Sequence, residues 1–236
     1  MDTPAIKTNV TVADVTFALD SYDMPHIVYL DKDTKSIMYS QWPDQGFTKV
    51  ADGDFIRDRR DQYYFPITIA LNQNDQPYIC YYSHQGLQCS WKNEDSWESS
   101  LVGPNGINPS LAIDRYGNLH LAYYDFLDKD LLYAFLDRNK GNGWQKYLVD
   151  GIDSVGQYPS MTLDANGIAH ISYYDETNAN LKYAIGRDGG WSLYTIDTEG
   201  DVGTFSSLCV DTNGNPHISY YDSTNHRLKY VYGRIK

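Results

Sequence analysis

Pro159-Ser160-Met161-Thr162-Leu163-Asp164-Ala165-Asn166-Gly167, followed by His170-Ile171-Ser172-Tyr173-Tyr174-Asp175, Leu181-Lys182-Tyr183 and Gly190-Trp191, decides the fold because it recurs. The same frame returns as Ser207-Leu208 to Asp211, His217 to Asp222 and Leu228-Lys229-Tyr230. It occurs earlier as Ser110-Leu111 to Asp114, His120 to Asp125, Leu132-Tyr133 and Gly143-Trp144. Two worn copies precede these. One runs from Phe17-Ala18-Leu19-Asp20 through His26 and Asp31 to Met38-Tyr39 and Gly46-Phe47. The other runs from Ile69-Ala70-Leu71-Asn72 through Tyr78 and Ser83 to Leu87 and Trp97. The markers at 26, 78, 120, 170 and 217 give a period of about 48 residues, the length of a four-stranded propeller blade.

Each copy divides into four short strands. Strand A carries Leu-x-Ile/Leu-Asp, strand B His-Ile-Ser-Tyr-Tyr, strand C Leu-Lys-Tyr-Ala, and strand D opens at the Trp. The Asp-x-x-Gly between A and B is a hairpin signal, with Gly for positive φ and Asp to cap the turn. Strand B is apolar or aromatic at nearly every position, as expected of a strand packed on both faces. No window keeps a helical period. The last copy stops after strand C at Lys236, whereas Ile6-Lys7-Thr8-Asn9-Val10 stands where a strand D stands before the first strand A. The expectation is one all-β domain over 1–236, a five-bladed β-propeller whose N-terminal strand completes the last blade and leaves no open edge.

Composition narrows the partners. A formal net charge of −12 argues against nucleic acid and anionic membrane surfaces, which need a basic footprint. Only Glu94, Glu98, Glu176 and Glu199 are glutamates among 31 acidic residues; the rest are Asp, the turn-former's acid. No apolar run reaches membrane-spanning length, so no membrane insertion is expected. The N-terminus has no basic segment followed by an apolar run. That places the chain in the cytoplasm by default, and outside the cell if it is a processed form. A monomer without cofactor is expected.

The frame Ser-Leu-x-x-Asp-x-x-Gly-x-x-His-Ile-Ser-Tyr-Tyr-Asp…Leu-Lys-Tyr resembles the repeat of bacterial and archaeal propellers of the sialidase-like and fucose-lectin-like group, over essentially the whole chain. The Asp box of that group survives only as Asp188-Gly189-Gly190-Trp191, Gly141-Asn142-Gly143-Trp144, Asp95-Ser96-Trp97 and Gly46-Phe47. The resemblance implies a propeller and leaves function open, since fold does not fix function.

Site candidates follow from the repeat. His26, His120, His170 and His217 open strand B of different blades, so they read as hydrogen-bonding residues and not as one metal site. Asp31, Asp125, Asp175 and Asp222 open Asp/Asn-rich loops and read first as loop caps. In each Tyr-Tyr pair, one ring belongs to the core. The other, next to the Asp, offers a stacking face and a hydrogen-bond acceptor to a sugar. Tyr124, Asp125, Tyr174, Asp175, Tyr221 and Asp222 are therefore the candidate ligand residues, in clefts at the end bearing the B–C and D–A loops. Arg57, Arg59 and Arg60, in the long connection from Ala51 to Tyr64, form a second candidate, for an anionic ligand or a protein. Cys80 and Cys89, aligned with Ser172 and Tyr183, should face each other across a hairpin, close enough to bridge under oxidising conditions, with the oxidation state left open and Cys209 a buried free thiol.

Near-identical copies favour repeated weak binding sites over the asymmetric acid–base pair that glycoside hydrolysis needs. Sialidase-type chemistry also lacks its Phe/Tyr-Arg-Ile-Pro signature here. The ranking is lectin-like carbohydrate binding without catalysis, then a protein-interaction or structural scaffold, then a hydrolase or lyase.

Overall fold

The computed structural model describes residues 10–43, 46–54, 56–57, 63–64 and 67–233, with 56, 57, 63 and 64 as backbone alone. Among the described residues every regular element is a β-strand, and no helix is long and apolar enough to cross a membrane. The chain divides into two compact units, Met1–Leu101 and Val102–Lys236.

The first unit carries two antiparallel sheets in the order of the chain. Sheet 1 is β1 (Val12–Leu19), β2 (Pro25–Asp31), β3 (Ser36–Gln41) and β4 (Thr48–Asp52). A two-stranded ribbon, β5 (Ile56–Arg57) and β6 (Tyr63–Tyr64), interrupts the long connection. Sheet 2 is β7 (Ile67–Leu71), β8 (Pro77–Ser83), β9 (Gly86–Asn93) and β10 (Ser96–Gly103). In the second unit, sheet 3 is β11 (Gly106–Ile113), β12 (Leu119–Asp125), β13 (Asp130–Leu136) and β14 (Gln145–Asp150). Sheet 4 is β15 (Val155–Leu163), β16 (Ala169–Asp175), β17 (Asn180–Arg187) and β18 (Gly190–Asp197). Sheet 5 has β19 (Val202–Val210), β20 (Pro216–Asp222) and β21 (Arg227–Tyr232). Five blade-like sheets make this an all-β propeller fold. Among the described residues nothing pairs beyond β21. The segment expected to do so falls almost wholly in residues 1–9, outside the described residues.

Strand A is longer than its sequence signature. β15 starts at Val155 and slips register between Gln157 and Ser160, and β11 slips between Ile107 and Ser110. Pro159 and Pro109 sit in these bulges, which is where a strand tolerates a residue that cannot donate to the ladder. The bulged residues Asn108, Tyr158 and Phe205 all take positive φ, 52° to 53°.

Strand B forms the centre of each sheet. All seven residues of β12 and of β16 are buried, which explains their lack of polar alternation. The first Tyr of each pair is core: Tyr81, Tyr123, Tyr173 and Tyr220 are each at most 4% exposed. Sheets 3 and 4 share one apolar cluster, including Ala122, Leu131, Tyr133, Val155, Ile171 and Tyr173.

Three devices pin neighbouring sheets of the second unit. Gly156 (φ +101°) lies so close to sheet 3 that an added Cβ would stand 2.6 Å from the Leu131 Cβ and 2.7 Å from its Cα. Gly203 (φ +109°) meets Leu181 of sheet 4 in the same way. Strand A backbone also docks on serines of the preceding sheet: Met161 N–H donates to Ser110 Oγ (2.9 Å) and Leu208 N–H to Ser160 Oγ (3.0 Å). Lastly, Asp150 Oδ2 accepts from Tyr173 OH (2.7 Å) and Lys182 Nζ (2.5 Å). Asp197 does the same for Tyr220 (2.7 Å) and Lys229 (2.6 Å). A buried carboxylate needs such partners, because its desolvation is otherwise uncompensated.

Candidate functional site

The repeat's His, its strand-C Tyr and its turn Asp form a chain within one sheet. In sheet 3, His120 Nδ1 lies 2.5 Å from Tyr133 OH and His120 Nε2 3.4 Å from Asp114 Oδ2. The chain recurs as His26–Tyr39 (2.8 Å), His170–Tyr183 (2.6 Å) and His217–Tyr230 (2.5 Å). Asp20, Asp164 and Asp211 stand 3.6 to 3.9 Å from the corresponding Nε2. In sheet 3 the Asp114 carboxylate can only accept, which assigns the proton to His120 Nε2 and leaves Nδ1 to accept from the Tyr133 hydroxyl. Each His is thus bound to its own sheet. Sheet 2 changes the set together, with Asn72, Tyr78 and Cys89 in place of Asp, His and Tyr.

The turn Asp has a second task. Asp114 Oδ1 accepts the Tyr116 (2.8 Å) and Asn118 (2.9 Å) N–H groups, and Oδ2 accepts from the Asn118 side chain (2.9 Å). Burial raises the Asp114 pKa, but these bonds and His120 outweigh it and hold the group below the usual range. Burial pushes His120 down despite Asp114, so the ring is neutral near pH 7. Burial, reinforced by Asp188 and other nearby charges, pushes the Tyr133 phenol well up.

This chain forms one wall of a cleft of about 390 Å³ between sheets 3 and 4, at the end bearing the A–B and C–D turns. Phe135 and Tyr116 give it apolar surface, and Arg115, Arg187 and Asp188 give it charge. Tyr116 is 65% exposed, and the Arg115 guanidinium lies 4.9 Å from the centre of its ring. The first unit has a smaller cleft of about 320 Å³ at the same end of its own sheets, where Tyr39 and Trp42 of sheet 1 face Lys92 of sheet 2.

The sequence candidates lie at the opposite end of the sheets. Asp125 Oδ1 accepts the Leu127 and Asp128 N–H groups. Asp175 accepts from Asn178 N–H and side chain, and Asp222 from those of Asn225. All three carboxylates are buried turn caps. Tyr124 and Tyr174 are buried; Tyr174 OH donates to Asp201 (2.8 Å) and Tyr221 OH meets His226 Nδ1 (2.9 Å). None of the six lines the 390 Å³ cleft. Arg57 falls in β5, and Arg59 and Arg60 lie outside the described residues. Cys80 and Cys89 pair directly across β8 and β9 and are joined by a disulfide. Cys209, expected to be buried, is exposed: it sits in β19 next to buried Leu208, with its side chain on the other face.

Arg115, Tyr116, Phe135, Arg187 and Asp188 were not legible as a site, because they occupy turns and strand ends that the repeat frame treats as variable. One signal was present. The A–B turn reads Asp114-Arg115-Tyr116-Gly117 in sheet 3 but Asp164-Ala165-Asn166-Gly167 in sheet 4 and Asp211-Thr212-Asn213-Gly214 in sheet 5.

No protein-family model matches the sequence, and no curated protein matches it. Solved structures match the fold. The chain is similar to the BP39L lectin from Burkholderia pseudomallei, with a TM-score of 0.66 and 10% identity over 95% of this chain and 66% of that one. It is also similar to an ulvan lyase of polysaccharide lyase family PL25 (0.65, 10% identity, 92% and 68%). A third is an endo-arabinase from Bacteroides thetaiotaomicron (0.51, 14% identity, 97% and 95%). The chain spans about two thirds of the lectin's length.

Proposed function

We propose that this protein binds carbohydrate without transforming it, in the cleft between sheets 3 and 4. The observation that carries the reading is the cleft itself: its volume of about 390 Å³ is within the range of small-molecule sites. It combines aromatic surface at Phe135 and Tyr116 with the donors of Arg115 and Arg187 and the acceptor Asp188. A sugar needs that combination, an apolar face against a ring and directional partners for its hydroxyls. The fold is shared with a lectin and with carbohydrate-active enzymes.

Binding is favoured over chemistry by the state of the wall residues. Tyr133 and His120 are bonded to each other and His120 Nε2 faces Asp114, so these groups are engaged within the wall. Asp114 is held low by its turn, which makes it a poor general acid near neutral pH. Asp125, Asp175 and Asp222, spent on capping, are assigned to the stability of the B–C turns.

A glycan array tests the reading. Retention of at least one glycan is expected, weakened at least tenfold by Tyr116→Ala with Asp188→Asn, and with no release of reducing ends on prolonged incubation. Retention lost instead in an Asp125, Asp175, Asp222→Asn variant that still melts cooperatively would move the site to the B–C end. A blank array would sink the carbohydrate reading and leave a protein-interaction scaffold.

A further inference from the structure

We infer that the cleft between sheets 1 and 2 is a second carbohydrate site, so that one chain binds sugar at two places. The inference rests on the carbohydrate reading of the cleft between sheets 3 and 4 and adds to it a further site and a valency.

The two clefts share their construction. In sheet 3, Tyr133 is bonded to His120 (2.5 Å), and Trp191 of sheet 4 packs edge-on against its ring, with 5.1 Å between ring centres. In sheet 1, Tyr39 is bonded to His26 (2.8 Å), and Trp97 of sheet 2 packs edge-on against it at 5.2 Å. The cleft of about 320 Å³ opens beside Tyr39 as the larger one opens beside Tyr133, and its volume is also in the range of small-molecule sites.

Packing of successive sheets explains a groove; the lining of this one needs a further reason. The strand-C residue opposite the strand-B marker is Trp91 in sheet 2, Phe135 in sheet 3, Ile185 in sheet 4 and Tyr232 in sheet 5. Sheet 1 has Gln41 there, opposite His26. Its side chain is exposed and lines the cleft, and its amide can accept and donate at once. The apolar surface passes to the next residue, half-buried Trp42, while Thr48 and Lys92 face the same space. A broad ring with hydroxyl, amide and ammonium groups around it is the combination a sugar ring needs.

The turns repeat the distinction. The second residue after the capping Asp or Asn is Tyr22 in sheet 1 and Tyr116 in sheet 3, but Asn74, Asn166 and Asn213 in sheets 2, 4 and 5. Turn closure does not demand the aromatic ring, because each of these residues gives its N–H to the capping side chain. Tyr22 is 79% exposed and Tyr116 65%. The two sheets whose A–B turns carry an exposed tyrosine are thus the two whose strand-C tyrosine lines one of these clefts. In the first unit that turn is also fixed to sheet 2, since the Ser21 N–H and hydroxyl donate to Asp75 (2.9 and 2.6 Å). A shallow cleft holds a sugar weakly, and two on one chain prolong its stay on a glycan-bearing surface with no added contact at either.

The test is calorimetric titration of the full chain with mannobiose, galactobiose, cellobiose and xylobiose, and with each glycan retained on the array. At least one should bind at two sites per chain. Tyr116→Ala with Asp188→Asn should leave one site, Trp42→Ala should leave the other, and the combined variant should bind none. Gln41→Ala with Lys92→Ala, both exposed side chains, should weaken the same site as Trp42→Ala by about tenfold, and it takes the place of Trp42→Ala if that variant melts earlier. A single site per chain, abolished by Tyr116→Ala with Asp188→Asn and untouched by Trp42→Ala, overturns the inference while the reading of the larger cleft survives. If no glycan binds, the reading beneath it fails as well.

Discussion

Gly156→Ala is the substitution for which the structure makes the sharpest energetic demand. Two separate terms oppose it. With φ at +101°, an L-residue enters a conformation that costs about 1–2 kcal/mol relative to glycine. In addition, the new Cβ would stand 2.6 to 2.8 Å from three atoms of Leu131, two of them backbone. A strand in the centre of a shared core cannot yield as a flexible side chain does, so overpacking adds about 1–3 kcal/mol. Gly117→Ala isolates the first term, since Gly117 has φ +81° and no atom within 4 Å of the added Cβ. Urea unfolding followed by fluorescence should place Gly156→Ala about 2–5 kcal/mol below wild type and Gly117→Ala only about 1–2 kcal/mol below. In melting temperature the difference between them is several degrees, at about 2–4 °C per kcal/mol for a chain of this size. Equal losses in the two variants would show that sheets 3 and 4 are not in this close contact. The geometry that frames the cleft would then need revision.

Other tests address separate features. Lys182→Met should cost about 3–5 kcal/mol by leaving the buried Asp150 carboxylate without its cation; adding Asp150→Asn should recover part of that loss, and strictly additive losses would speak against the pairing. Alkylation of the denatured, non-reduced protein should label Cys209 alone, and three labelled thiols would refute the Cys80–Cys89 bond. His26, His120 and His170 have pKa values lowered by burial, so the unfolded chain binds more protons than the native one once pH falls below about 6.5. The melting temperature should therefore drop between pH 7.5 and 5.5, before the carboxylates contribute. A flat profile over that interval would contradict burial of neutral imidazoles.

The repeat was legible because its signals are local and redundant. Asp164 and Gly167 encode a turn whatever surrounds them, and the unbroken apolar run through Ile171 and Tyr173 encodes a strand covered on both faces. The capping role of Asp175 and its equivalents also followed from residue type, and the structure gives those acids to their turns. The cleft was not legible. It depends on which turn residues of two successive sheets face one another, and Arg115 and Arg187 are 72 positions apart by their own numbering. The lowered acidity of Tyr133 likewise arises from burial by neighbouring sheets. The bulge at Tyr158 was missed for a related reason: Pro159 reads as the start of a strand when it is a kink inside one.

The second sheet holds a further lesson in Cys80 and Cys89, which occupy the places of Ser172 and Tyr183. In sheets 1, 3 and 4 strands B and C are tied by a hydrogen bond between a buried imidazole, whose charged form burial disfavours, and the strand-C tyrosine. Where Asn72 and Tyr78 have removed that chain, a covalent bond ties the same two strands. Acid and thiol reagents therefore attack different parts of the molecule. Acid loosens the sheets built around histidine and leaves the second sheet's crosslink intact, and a reductant does the reverse. A protein assembled from one repeated module has in this way acquired two chemically independent points of weakness, so neither stress alone releases every sheet.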